Sequence, residues 1–382
     1  MDNRFPLARL STGDTAYLYD KSIVLFFQGR RKVLSTSVYN GGYHEDFTAV
    51  YNRDMTRGAG MTCEMLAATY EEHMAIVSRR LGLDPDRVTG MGTAAQMTNA
   101  AVKSLSYEEL TVTAIVTGGI ETNGGRVGDP ATYFKRREKP RPGTINIILV
   151  LDTDLAPGTL ARALVTCTEA KTAALQELMA GSRYSTGLAT GSGTDQTIVV
   201  ANADSPLYLD GAGKHSKLGE LIGRVVIAAV KEALLRQSGL SPERQHDLLR
   251  RLARFGVTSD TVWEAYRKIA GEKAAIKPVF LAELEALAAS EALVPYGILY
   301  IHLLDEYLWR LLSEQETRAA AEPILKLLAD AAGAKAPEIE GMLEKAMISA
   351  LEYLLAAACV RRLDKRGEED WNEDRSVYKY FP

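Results

Sequence analysis

Short apolar runs punctuated by glycine dominate the chain up to about residue 215. "TAYLYD" (15–20), "SIVLFFQG" (22–29) and "KVLSTSVYNGG" (32–42) carry the composition of strands, each bounded by turn residues. "LTVTAIVTGGI" (110–120), "GTINIILVLD" (143–152) and "GTDQTIVVAN" (193–202) are rich in β-branched residues and predict further strands. Helical spacing runs through 61–82, with a stop at Gly82, and through 157–179, with Pro157 near its start. The short links between the first strands predict a meander, and strands separated by helices are free to run parallel.

From Leu218 the texture changes. Leu218, Leu221, Ile222, Val225, Val226 and Ala229 recur at helical spacing. Beyond "GLSPERQ" every recognisable segment to about residue 363 is helical, and no run of strand period follows residue 203. The expectation is an α/β domain over 1–239, built on a mixed sheet with flanking helices. An all-α domain over 240–365 follows, and residues 366–382 form a charged tail or surface strap.

Composition narrows the class. The 382 residues hold 46% hydrophobic and 25% charged residues, as in soluble globular proteins, and the net charge of −4 offers no basic excess for nucleic acid. Cys63, Cys167 and Cys359 are far apart, without metal-ligand spacing, and suit a reducing compartment. The opening "MDNRFPLARLSTGD" lacks the apolar core of a signal peptide. The apolar run at 346–360 is too short to span a bilayer and contains Glu352. A cytoplasmic protein without a membrane span is expected, and a homo-oligomer is left open.

Phosphate-loop, metalloprotease, paired-cysteine and nucleophile-elbow motifs are all missing. What stands out is five polar, glycine-rich segments beside apolar strands: 38–47, 116–131, 141–146, 181–195 and 211–220. They are expected to converge on one face of the sheet, where ligands of α/β proteins tend to sit. Asp129, before Pro130, either initiates a turn or pairs with Arg126 to hold a loop. Glu169 and Lys171 lie two apart in a helix and so on different faces, which makes at least one a solvated charge. His44 with Asp46 offers a base and its orienter at a spacing that decides little.

Four stretches strongly resemble the adenosylcobinamide amidohydrolases: "VTGGIETNGGRVGDPA", "GTINIILVLDTDLAPGTLARALVTCTEAKTAALQEL", "SRYSTGLATGSGTDQTIVVAN" and "GAGKHSKLGELIG". "VLSTSVYNGGY" is similar to the same family's N-terminal strand and turn, and the match runs in order from about residue 15 to residue 235. The resemblance implies hydrolysis of the amide joining the aminopropanol arm to the corrin ring of adenosylcobinamide. The products are adenosylcobyric acid and 1-amino-2-propanol, as in corrinoid salvage and cobalamin biosynthesis. Cobalt is then part of the corrinoid substrate. A corrinoid-binding protein without catalysis is the rival reading.

Amide hydrolysis passes through an oxyanion and ends at a carboxylate, and a helix N-terminus with nearby cations suits both. Lys214, His215, Ser216 and Lys217 are the expected anion-stabilising corner, with His215 first choice as general acid/base. The nucleophile is left open among Ser216, Thr144, Thr194 and a water held by Asp195 or Glu220. The other reading of this corner is a Ser216 N-cap with its cations solvated or paired. A divalent metal is also left open, with His215, Glu220 and Asp129 as ligands should they meet. Substrate binding is expected from Asn40, from Asn123, Arg126 and Asp129, from Asn146, and from Arg183, Tyr184, Ser185 and Thr194.

Some relatives are fused to an all-helical α-ribazole-phosphate phosphatase similar to phosphatidylglycerophosphatase A. Segments 256–271, 285–309 and 339–365 loosely resemble that module's helices. A magnesium phosphatase needs acids gathered on the metal, for which Glu283, Glu285, Asp305 and Glu306 are the candidates. His302, Asp305 and Glu306 are expected on one helical face.

Overall fold

The computed structural model describes residues 4–57, 65–131 and 144–377. The chain divides into two compact units, Met1–Ser241 and Pro242–Pro382. The first is mixed α/β and the second helical.

The first unit opens with β1 (Phe5–Arg9), β2 (Thr15–Tyr19), β3 (Ser22–Phe26), β4 (Arg31–Ser35), β5 (Gly42–His44) and β6 (Ala49–Asp54). Helix α1 (Tyr70–Arg80) leads to β7 (Val88–Thr93), β8 (Ala101–Tyr107), β9 (Leu110–Gly119) and β10 (Gly124–Gly125). Then come β11 (Thr144–Leu151), β12 (Asp154–Leu155), α2 (Pro157–Glu177), β13 (Gly191–Ser192), β14 (Gln196–Asn202), β15 (Tyr208–Leu209) and α3 (Lys217–Ser238).

These strands form two main sheets, ordered β1-β2-β3-β6-β7 and β5-β4-β14-β11-β9-β8. The two-residue side-chain period explains their stacking. Ile23, Leu25, Val50 and Met91 of the first sheet meet Ile115, Ile148, Val150, Ile198 and Val200 of the second. The first sheet's other face packs Val24, Ala49 and Tyr51 on Met74 and Val77 of α1. The second sheet's other face packs Ile145, Ile147 and Leu149 against α2 and α3. The layers therefore run helix, sheet, sheet, helices.

β11 and β14 are parallel, while β9 and β4 run against them. Thr144, Gln196, Gly119 and Ser35 thus share one end of the second sheet, and Leu151, Asn202, Leu110 and Arg31 share the other. Helices α2 and α3 both start at the Leu151 end. Gln237, near the close of α3, reaches the Thr144 end, where it accepts from Gln96 N (3.1 Å) and Asn99 Nδ2 (3.0 Å).

The expected meander holds for β1, β2 and β3, but β4 leaves it to pair with β14. Arg31 shows why. It is 2% exposed, and it donates to both carboxylate oxygens of fully buried Asp14 at 2.8 Å, tying the β1–β2 turn to the second sheet. Strands β6 and β7 escape the sequence pattern because "AVYNRD" carries charge and "VTGMGT" carries glycine. Strand β15 lies beyond residue 203; its two residues, paired with β12, are too few to show a period. Helix α1 begins at Tyr70, since Thr69 and Glu72 close a capping box there, and residues 61–64 lie outside the described residues.

The second unit contains α4 (Leu248–Leu252), α5 (Ser259–Ala270), α6 (Lys277–Ala288), α7 (Val294–Leu308), α8 (Glu314–Ala332) and α9 (Leu343–Val377). Tyr266, Phe280, Leu284, Tyr300, Leu328 and Leu354 centre its core. The backbone of α9 continues through 366–377, while 378–382 lie outside the described residues. His302, Asp305 and Glu306 do not share a face. Asp305 turns inward to a bidentate pair with Arg254 (2.6 and 2.7 Å), whereas exposed His302 meets Glu306 at 3.3 Å. Among the described residues no helix is long and apolar enough to cross a membrane.

His73 of α1 is 2% exposed, and its Nδ1 accepts the Leu66 N–H at 2.9 Å. Burial first, then the Arg53 and Arg80 cations, lower its pKa below 6.5. The unfolded chain therefore takes up this proton first. Stability is whole above pH 6.5 and falls as pH drops through the lowered folded value. Urea unfolding midpoints measured between about pH 7.5 and pH 5 should show this acid slope, and His73→Gln should flatten it.

Candidate active site

Polar side chains take over where the inter-sheet apolar rows reach the Thr144 end. Asn146 follows Ile148 on β11, Thr117 follows Ile115 on β9, and Asn52 follows Val50 on β6. Asn52 Nδ2 donates to Thr117 Oγ1 (2.8 Å), and Asn146 Nδ2 donates to Asn52 Oδ1 (2.8 Å) and to the Gly92 carbonyl (3.2 Å). Thr144 Oγ1 bonds Asn146 Oδ1 (3.1 Å) and the Thr194 carbonyl (2.7 Å). All four side chains are buried. Such a chain is tolerable between sheets because each member satisfies its neighbour.

On the helix side of the same end, Asp195 gathers four donors. Its Oδ1 accepts from Ile145 N (2.8 Å) and Ser192 Oγ (2.6 Å), and its Oδ2 from Ser192 N (3.0 Å) and Lys171 Nζ. The Lys171 and Asp195 side chains are each only 11% exposed. Gly191 makes the approach feasible, since a Cβ there would overlap both Asp195 Oδ2 and Lys171 Nζ. Of the two charges weighed on α2, Glu169 is the exposed one, and Lys171 is buried.

The rim of this end is built from 123–129 and 182–190. Asp129 Oδ2 accepts from Arg126 N (2.7 Å) and Ser182 Oγ (2.6 Å), so it both closes its turn and ties the two loops. Burial works to raise the Asp129 pKa. Hydrogen bonds from Ser182, Ser185 and Arg126 N, together with the Arg126 charge, overcome this and hold it below the usual carboxylate range. Arg183 N bonds the Gly124 carbonyl (2.8 Å), and Val127 N donates to Thr190 Oγ1 (2.9 Å). Arg126, Arg183 and Tyr184 lie exposed on this rim, while Asn123 is buried beneath it. Asn40, with φ 48°, donates its amide to the Pro85 (2.7 Å) and Val88 (2.8 Å) carbonyls and so anchors the start of β7.

Segment 213–220 sits at the opposite end. Ser216 caps α3, its Oγ accepting from Gly219 N (3.1 Å) and donating to the Gly213 carbonyl (2.8 Å). Lys214 pairs with Glu169 (3.1 Å), and Lys217 pairs with Glu220 (2.5 Å) while lying over the Tyr107 ring at 4.6 Å. The Lys217 hydrogen bond, with Arg224 adding to it, lowers the Glu220 pKa. His215 is exposed. Helix α3 has 22 residues, and its length of ~33 Å separates this corner from the Thr144 end.

The structure therefore brings Thr144, Asn146, Thr194 and Asp195 together with the 123–129 and 182–185 loops. Lys214, His215, Ser216, Lys217 and Glu220 form a separate group. His215 and Glu220 do not meet Asp129, and among the described residues no three His, Cys, Asp or Glu side chains gather as a metal site. His44 and Asp46 stand 3.9 Å apart, beyond a hydrogen bond. Burial pushes the Cys167 and Cys359 thiols up to about 12, and Cys63 lies outside the described residues. In the helical unit, Arg362 holds Glu283 (3.0 Å), Arg254 holds Asp305, and Glu285 is exposed.

Lys171, Ser192, Asn52 and Thr117 are the members of the Thr144 end that sequence reading misses. Lys171 did leave a trace, being a lone cation in the stripe Leu160, Ala163, Cys167, Ala170, Ala174 of α2. Asn52 and Thr117 left none, because only the stacking of two sheets brings them together.

The chain is 31% identical over 236 residues to the uncharacterized protein MJ1613 of Methanocaldococcus jannaschii, covering 57% of this chain and 87% of that protein. Among solved structures it is similar to the PH0078 protein from Pyrococcus horikoshii OT3, at 13% identity and a TM-score of 0.31, covering 66% of this chain and 91% of that one. The family model CbiZ, adenosylcobinamide amidohydrolase, matches residues 7–242, which include every element of the two-sheet unit except the outermost residues of β1. On that match, the chain belongs to the adenosylcobinamide amidohydrolase family.

Proposed function

We propose that the chain hydrolyses the amide joining the aminopropanol arm to the corrin ring of adenosylcobinamide, releasing 1-amino-2-propanol and adenosylcobyric acid. The observation that carries this reading is the family match over residues 7–242, which spans both ends of the second sheet. Within that span we assign the chemistry to the Thr144 end. Attack on a neutral amide creates negative charge only in the transition state, so a fixed cation in a dry setting favours reaction over ground-state binding. Lys171 is such a cation, held in place by Asp195. The Ser192 hydroxyl, oriented by Asp195, shares that carboxylate with Lys171 and suits the placing of an attacking water. The Thr144 hydroxyl, fixed by Asn146 and the Thr194 carbonyl, stands at the same strand end and offers a second such group. Asp195 is a positioning residue in this scheme, and Arg126, Arg183 and Tyr184 border the entry for the large corrinoid.

A second location is supported by one observation. His215, the imidazole of the "GAGKHSKLGELIG" stretch, is solvent-accessible beside the capped start of α3. Variants separate the two. Lys171→Met should lower kcat about a hundredfold, and His215→Ala should leave kcat within about threefold. The reverse pattern moves the chemistry to the 213–220 corner.

The activity itself is tested by incubating the purified protein with adenosylcobinamide and following aminopropanol by mass spectrometry. Release that scales with enzyme supports the hydrolase, and tight corrinoid binding without release leaves a binding protein. Asp195→Ala should cost about 3 kcal/mol in urea unfolding, because it strands a nearly buried ammonium and three other donors.

A further inference from the structure

Gln196 opens β14 beside Asn146 in the parallel register of β11 and β14. Alternation places its side chain on the face of Ile198 and Val200, toward the first sheet. Its Oε1 is buried without a hydrogen-bond partner among the described residues. The polar neighbours are already engaged with one another. Asn146 is occupied by Asn52, Gly92 and Thr144. On the other flank, Ser35 bonds Thr89 (3.0 Å) and accepts from Ser37 N (3.1 Å), and Ser37 donates to the Gly90 carbonyl (2.6 Å). A buried carbonyl oxygen left over beside such a satisfied network costs stability, and such groups call for a specific explanation.

We propose that Gln196 is a recognition residue whose carboxamide head pairs with a carboxamide of the bound corrinoid, Oε1 taking the ligand's N–H. This deepens the hydrolase reading and rests on it for the identity of the ligand. The head group is a planar donor–acceptor pair, so a ligand amide that donates to Oε1 can return its own carbonyl to Nε2. A site built to hydrogen-bond a group rejects analogues lacking it far more strongly than an apolar pocket does. Two sources offer the same chemistry: the arm amide that is cut, and the carboxamides around the ring.

The test compares the wild-type protein with Gln196→Leu, using spectroscopic titration with adenosylcobinamide and with adenosylcobyric acid. The acid keeps the ring carboxamides and lacks the arm amide. Gln196→Leu should weaken binding of adenosylcobinamide about tenfold and raise KM in step, with the loss falling less on kcat. Equal weakening with the acid assigns the partner to a ring carboxamide, and weakening with adenosylcobinamide alone assigns it to the arm. The variant should melt at or above the wild-type Tm, since it removes an unsatisfied buried oxygen. Unchanged affinity for both corrinoids overturns the proposal and leaves Gln196 to ordered water. A wild-type protein that releases no aminopropanol but binds corrinoid defeats only the hydrolase reading, because the affinity comparison still decides the role of Gln196. A wild-type protein that binds neither corrinoid overturns both.

Discussion

The second sheet is covered on both faces, by another sheet on one side and by α2 and α3 on the other. Its strand β11 is buried along all eight residues. That double burial is the constraint from which the rest of the unit follows. A polar group left unsatisfied in such a layer costs roughly 1–3 kcal/mol, so the middle of the sheet has to be apolar. Polar chemistry is pushed to the strand ends, where loops and helix termini can satisfy it. The Asn52–Asn146–Thr117 contacts sit one residue pair beyond the last apolar row between the sheets, which is where that pressure first relaxes.

Both ends answer the constraint with paired charges. At the Leu151 end, Arg31 and Asp14 neutralise each other, and Ser216 satisfies the start of α3. Lys214 and Lys217, near the N-terminus of α3, are balanced there by Glu169 and Glu220. At the Thr144 end Lys171 and Asp195 pair in the same way. Asp195 is saturated by four donors, and Lys171 is fixed through it close to the uncharged Ser192 hydroxyl. Ionic and hydroxyl groups held rigid in this way present fixed dipoles that need no reorganising.

Elements with an unbroken period were legible in the sequence. β9, β11, β14, α2 and α3 stand almost where their apolar spacing predicts them. The two-sheet stacking was not, because β6 and β7 carry Asn52, Asp54 and glycines where a strand pattern wants apolar residues. Those exceptions belong to the candidate site, since Asn52 breaks the pattern where it meets Asn146. The site was half legible for the same reason. Thr144, Asn146, Thr194 and Asp195 lie in glycine-rich strand ends that announce themselves locally. Lys171 is brought to them by α2, and its partner Asp195 lies 24 residues away in the chain. The separation of 213–220 from these groups depends on the direction of α3 along the sheet, which spacing alone does not encode.

The helical unit treats its polar groups in another way. Among the described residues its buried carboxylates, Asp305 and Glu283, are each engaged by an opposite charge, Arg254 and Arg362. A carboxylate that already holds a guanidinium in two well-aligned hydrogen bonds, as Asp305 does, has little left to offer a metal ion or a substrate. The Tyr300 hydroxyl there lacks a partner among the described residues, as the Gln196 oxygen does in the two-sheet unit, but their settings differ. The Tyr300 ring belongs to the same apolar cluster as Phe280, Leu284 and Leu328. Gln196 stands next to a chain of buried amides and hydroxyls, at the same end of the sheet as Lys171. An unmet acceptor counts toward recognition when its surroundings can hold the rest of a polar ligand. That setting favours recognition in the two-sheet unit, whereas Asp305 and Glu283 of the helices are already paired.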